Sequence, residues 1–400
     1  MIEEENNQNI IFYSLLTIIV CLLIYVANTL SISYKEALNV FENNSLLTYI
    51  TNASLYIFGQ NDIALRLPFI IFYTLSIILM YKLTQNYFKY KQDRLVTIIL
   101  FMILPGVLSA SILVNSSIIV IFFTLLYIYL FRFKKDYSYL LMIILLFIDN
   151  SFAILYLAMA FYSFNTNDRK TLIFSILFFI FSLVLYGFET VGKPKGYFLD
   201  TFAIYATVFS PFLFIYFIYA VYKVGLKGEK TLIWYISTTA LLLSLVLSFR
   251  QKIYIEDFAP YVVISLPFML KHFFHSYRVR LNQFRMKHKV IAGLVLFMLV
   301  LNATLTVINK PLYFFLSDPT KHFAYKYHIA KELSKTLKAL EIKKINTFNE
   351  KLQLRLRFYG ISKGNNYLLT DYKYKKDNYR VININYHGIN IKKYYLYETQ

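Results

Sequence analysis

The sequence predicts an α-helical polytopic membrane protein of about eleven helices, ending in a small C-terminal α/β domain. Three observations carry this. Hydrophobic residues make up 58% of the 400 residues and mean hydropathy is +0.50, whereas soluble domains sit nearer roughly 45–50% apolar. Apolar stretches of membrane-crossing length recur, about 20 helical residues being enough to cross the hydrocarbon core. After residue 309 the character changes to polar and β-alternating runs.

The first apolar stretch, Ile10–Leu30, follows Glu3–Glu5 instead of a basic segment and lacks a small-residue cleavage site. It reads as a retained helix, not a signal peptide. The single cysteine, Cys21, lies inside it, so a disulfide framework or cysteine metal site is excluded. Further spans are expected near 67–87, 96–114, 116–133, 171–189, 201–222, 232–248, 257–274 and 289–308. Region 138–164 carries two apolar runs on either side of Asp149-Asn150, each too short to span. Its flanks, Arg132–Lys135 and Arg169-Lys170, are both basic. A hairpin of two short helices satisfies this, with Asp149 in a solvated turn.

The net charge of +20 invites a nucleic-acid reading, but its distribution is a topology signal. Eighteen lysines and arginines fall in 82–94, 132–135, 169–170, 223–230 and 271–289, against six in the alternate short loops. The positive-inside rule then places the N-terminus in the cytoplasm. The domains read as 1–308, transmembrane with a first outer loop at 31–67, and 309–400, extracytoplasmic. Lys193-Pro194-Lys195 is a basic outer turn.

In the C-terminal piece, His322–Leu340 has helical spacing, with Ile329, Leu333, Leu337 and Leu340 on one face. Strands are expected at Ile345–Phe348, Leu352–Phe358, Tyr367–Thr370, Tyr379–Tyr386 and Ile391–Tyr397. Gly360, Gly364-Asn365-Asn366 and His387-Gly388 punctuate them. The six histidines show no zinc-ligand spacing.

The first outer loop is too long for a connector and lacks linker composition, which usually marks function. It carries Lys35-Glu36-Ala37, then the apolar run Leu46–Phe58, then Phe58-Gly59-Gln60-Asn61-Asp62-Ile63-Ala64-Leu65-Arg66-Leu67-Pro68. On these residues the chain resembles the GT-C membrane glycosyltransferases of the protein O-mannosyltransferase and lipid A aminoarabinose transferase type. In that family the loop opens with Asp-Glu-Ala or similar. It runs through a helix at the membrane surface and ends in Phe-Gly-x-x-x-x-Ala-x-Arg-Leu-Pro. The similarity continues through Pro105 to Asn115, where the family often carries an Asp. It reaches Arg250–Pro267, which resembles the family's late Arg/Lys-Tyr-x-Pro stretch.

The resemblance implies a GT-C-like fold and transfer of a sugar from a polyprenyl-phosphate donor to a lipid, glycan or protein acceptor on the outer side, in a bacterial inner membrane. Glu36 matches the family's second acid and is the candidate base or ligand of a divalent cation, with Glu42 as a second candidate catalytic acid. Candidate binding residues are Lys35, Arg66, Asn115, Arg250, Lys252 and Tyr254. Arg66 has the donor fork suited to phosphate. Lys35 and Asn115 stand where the family has acids. Glu36 or Glu42 then takes over, or Lys35 binds the donor phosphate, or the protein binds without catalysing. The alternative function is an inactive GT-C-fold protein that binds an isoprenoid lipid or scaffolds envelope glycan assembly.

Overall fold

The computed structural model describes residues 2–187, 195–374 and 379–398, with side chains from residue 7 onward. Lys193 and Pro194 of the basic turn lie outside the described residues. The chain divides into two compact units, one of residues 1–20 and 69–306, the other of residues 21–68 and 307–400. Residues 21–68, expected within the transmembrane module, therefore pack with the C-terminal segment.

The first unit is helical. Among the described residues, four helices are long and apolar enough to cross a membrane: Asn7–Thr29, Asp62–Leu83, Arg169–Tyr186 and Asn282–Val307. Two bent pairs would raise this to six, Lys91–Met102 with Pro105–Ile112 at 49° and Phe198–Phe209 with Pro211–Lys227 at 105°. Both bends follow from proline, which lacks the N–H that a continuing helix needs. At the sharper one Ser210 also takes a left-handed φ of 82°. A Cβ on Gly106 would come within 2.5 Å of Val208 Cγ1, so only glycine permits that close approach. Region 138–164 forms the expected pair of short helices, Lys135–Leu145 and Phe152–Asn165.

Two buried tyrosines in this unit satisfy their hydroxyls on backbone carbonyls, as a phenol in an apolar interior favours. Tyr73 donates to the Met102 carbonyl at 2.9 Å and Tyr156 to that of Met142 at 2.7 Å. The outer faces of Arg169–Tyr186 and Asn282–Val307 expose Ile173, Val184, Val290 and Phe297, as lipid-facing helices do.

The second unit contains a four-stranded sheet: β1 (Lys344–Thr347), β2 (Ser362–Thr370), β3 (Tyr379–Tyr386) and β4 (Ile389–Glu398), in the order β1-β2-β4-β3. β1 pairs parallel with β2, and the other neighbours are antiparallel. His387 and Gly388, with φ of 44° and 86°, turn β3 into β4, as a tight hairpin with two left-handed residues requires. Helix Ala330–Ala339 lays Leu333 and Leu337 into a core with Ile345, Leu369, Ile382 and Leu396.

Two sequence expectations are corrected here. Leu352–Phe358 lies in a helix, Glu350–Phe358, not a strand. The Asn349 side chain accepts from the Leu352 N–H, Glu350 sits in the first turn, and Arg355 and Arg357 sit in the last, all favourable to the helix dipole. Leu352 and Leu356, four apart, face the core. The helix expected over His322–Leu340 starts only at Ala330, after a 3-10 turn at Tyr325–Tyr327, and Leu340 is its exposed cap.

Candidate functional site

In the second unit the first loop folds as two short helices, Tyr34–Phe41 and Leu46–Phe58. Ser33 and Glu36 form a capping box. The Ser33 Oγ accepts from the Glu36 N–H, and the Glu36 carboxylate accepts from the Ser33 N–H at 2.7 Å. Ser45 and Thr48 cap the second helix in the same way. These side chains satisfy amide donors that a helix start leaves orphaned.

Arg66 is fully buried. Its guanidinium donates to the carbonyls of Ala27, Leu30 and Ser31 at 3.1–3.3 Å, and so closes the C-terminal end of helix Ile2–Thr29. It also lies 3.3 Å from Glu36 Oε2 and 3.7 Å from Asp62 Oδ1. The structure thus brings two of the sequence-flagged residues, Glu36 and Arg66, into one buried cluster.

Asp62 completes the cluster together with residues from far along the chain. Lys331 Nζ lies 2.7 Å from Asp62 Oδ2, and the Tyr359 hydroxyl donates to Asp62 Oδ1 at 2.6 Å. The same hydroxyl accepts from the Ile32 N–H at 2.9 Å, and Arg355 Nε donates to the Ile32 carbonyl at 2.9 Å. Burial, then the Asp62 carboxylate, push the Tyr359 phenol pKa well above its ordinary value. Tyr359 is therefore a fixed proton donor at neutral pH. Burial also lowers the pKa of Arg355.

Lys35 is exposed on the first of the two short helices, and Glu42 is that helix's exposed C-cap. Neither belongs to the buried cluster. Glu36 is filled by an amide and a guanidinium. Among the described residues, no group of three or more His, Cys, Asp or Glu could hold a metal ion. The donor set does not fit a divalent cation.

The remaining flagged residues lie in the first unit. Asn115 Oδ1 accepts from the Ser117 N–H at 3.1 Å, and the Ser117 hydroxyl donates to the Glu256 carbonyl at 3.1 Å. The Asn115 turn therefore meets the stretch that begins at Arg250. A cleft of about 190 Å³ is lined there by Lys252, Tyr254, Asp257, Asn150, Ser151 and Tyr186. Arg250, Lys252 and Tyr254 are exposed. Among the described residues, Arg250 and Lys252 make no ion pair. Asp149 is a half-buried turn residue whose carboxylate accepts from the Ser151 N–H.

Ser33-x-x-Glu36 was legible as a capping box. Lys331, Arg355 and Tyr359 carried no local signal, because their roles depend on partners about 300 residues away.

The family model described as dolichyl-phosphate-mannose-protein mannosyltransferase matches residues 45–215. A crystal structure of ArnT from Cupriavidus metallidurans, bound to undecaprenyl phosphate, superposes with a TM-score of 0.56 at 9% identity, covering 97% of each chain. The chain has the GT-C fold. The resemblance first read from Phe58–Pro68 thus extends to nearly the whole chain as fold, and to residues 45–215 as sequence. The search of curated proteins gives no match. The segment matched by the family model contains Asp62, Arg66 and Asn115 but begins beyond Lys35, Glu36 and Glu42.

Proposed function

We propose that this protein is a membrane glycosyltransferase that takes a sugar from a polyprenyl-phosphate donor and passes it to an acceptor on the outer side of a bacterial inner membrane, with its N-terminus cytoplasmic. The observation that carries the reading is the mannosyltransferase family match over residues 45–215 on a GT-C fold. The charge count along the loops supports the orientation.

Such a reaction needs cations for the departing phosphate and a carboxylate within hydrogen-bond reach of the acceptor proton. Arg250 and Lys252, exposed beside Tyr254, suit the donor phosphate. Asn115 can orient an acceptor hydroxyl by hydrogen bonding without adding charge. Of the two acids, Glu36 would have to leave Arg66 and the Ser33 amide to act as a base. We assign it to holding the loop, which leaves Glu42, the exposed cap of its helix, as the candidate catalytic acid. The acceptor class is a lipid, glycan or protein.

Lys35 and Asn115, standing where the family has acids, favour a second reading in which the chain binds an isoprenoid phosphate without transfer. One experiment separates the two. Purified full-length protein is assayed in proteoliposomes for undecaprenyl-phosphate binding and for sugar transfer from the charged donor. Binding with transfer supports the first reading, and binding alone supports the second. Absence of both overturns them together. If transfer occurs, Glu42→Gln should lower it with unchanged melting, whereas Glu36→Gln should lower transfer and melting together.

A further inference from the structure

A second cavity, of about 1080 Å³, lies in the first unit away from every residue assigned above. Its walls come from three separate stretches of chain: residues 87–93, residues 219–231 and residues 268–280. Six cations line it: Lys89, Lys223, Lys227, Lys271, Arg278 and Arg280. Among the described lining residues two are carboxylates, Asp93 and Glu229. Asp93 is already taken by Arg278, at 2.6 Å. Among the described residues, Lys223, Lys227, Lys271 and Arg280 form no ion pair. Tyrosine rings support some of the cations instead, Tyr87 lying 4.8 Å from Lys271 Nζ and Tyr90 4.0 Å from the Arg278 guanidinium.

The positive-inside rule accounts for basic loops. It does not account for cations from three stretches gathered into one concave wall with so few carboxylates. Like charges collected in a cleft focus a positive potential that draws an anion. Helix Pro211–Lys227 indicates what kind of anion. It exposes Phe212, Ile215, Tyr219, Tyr222 and Leu226, one face at helical spacing, and that face runs up to Lys223 and Lys227. A free anion has no use for such a stripe, whereas an acyl chain does. Basic pockets between helices on the cytoplasmic side are suited to anionic lipid headgroups.

We propose that this cleft binds the phosphate headgroup of an anionic membrane lipid, whose acyl chains lie along the exposed stripe of helix Pro211–Lys227. The site is independent of the outer-side chemistry. The test is native mass spectrometry of the purified full-length protein in detergent with phosphatidylglycerol or phosphatidylcholine. Phosphatidylglycerol should be retained in preference to phosphatidylcholine. The triple variant Lys223→Gln, Lys271→Gln, Arg280→Gln should weaken that retention by about tenfold or more, and Lys223→Arg with Lys271→Arg should preserve it. Lys287→Gln with Lys289→Gln, basic positions nearby but outside the cleft, should leave it unchanged. If the triple variant does not fold, Lys271→Gln alone should still weaken retention a few-fold. Equal retention of the two lipids, or equal loss in the Lys287/Lys289 control, would overturn the proposal. Displacement of the lipid by excess inorganic phosphate would reassign the cleft to a free anion and overturn it likewise.

Discussion

The buried cluster around Arg66 and the open cleft beside Lys252 make an instructive pair. Both were flagged by sequence as phosphate-binding candidates, and both contain cations near tyrosine and carboxylate. In the cluster, the terminal nitrogens of Arg66 are held by four carbonyls and two carboxylates. In the cleft, Lys252 and Tyr254 are exposed on the wall of a cavity. A cation that already holds its anions inside the protein is architecture. A cation exposed on the wall of a cleft has donors left to offer. Both residues carry a positive charge, and the difference lies in what surrounds it.

Three substitutions probe that contrast. Arg66→Met should have the largest effect. It leaves Glu36 and Asp62 buried without their shared cation and opens the end of helix Ile2–Thr29, and breaking a buried pair this way costs about 3–5 kcal/mol. A steep fall in the melting temperature of the detergent-solubilised protein is expected. Melting like that of the parent would mean that Arg66 is not architectural. Tyr359→Phe should come next, at about 1–3 kcal/mol, because Asp62 loses a donor and the Ile32 amide its acceptor. The same melting assay reads it, and a shift confined to ligand affinity would move Tyr359 out of the architectural group. Lys252→Gln should be the smallest in stability, within about 0.5 kcal/mol as for an exposed site, yet should weaken undecaprenyl-phosphate binding measured by titration. Undiminished binding would remove Lys252 from the donor site.

Much of the fold was legible because its signals are local. Ser45 ahead of Leu46–Phe58 marks a helix start. The basic flanks of 138–164 force a hairpin, and His387-Gly388 sets the β3–β4 turn. Leu352–Phe358 was misread because alternating leucine and polar residues fit a strand as well as one face of a short helix. The Asn349 cap and the charges at the two ends decide between them. The site was half legible. Glu36 and Arg66 stand in a recognisable motif, so their importance could be read but not its kind. Whether a charge is saturated depends on carbonyls and side chains brought in by folding, and no spacing rule reports that.

The bond between Tyr359 and Asp62 also has a consequence for biosynthesis. Its ends lie 297 residues apart. At about 5–20 residues added per second, the ribosome needs on the order of 15–60 s to travel from one to the other. Throughout that interval Asp62 lacks its phenol and the amide of Ile32 lacks its hydroxyl acceptor, and Lys331 is added only shortly before the interval ends. Residues 31–68 therefore wait for Lys331, Arg355 and Tyr359 to be made before this set of contacts can close.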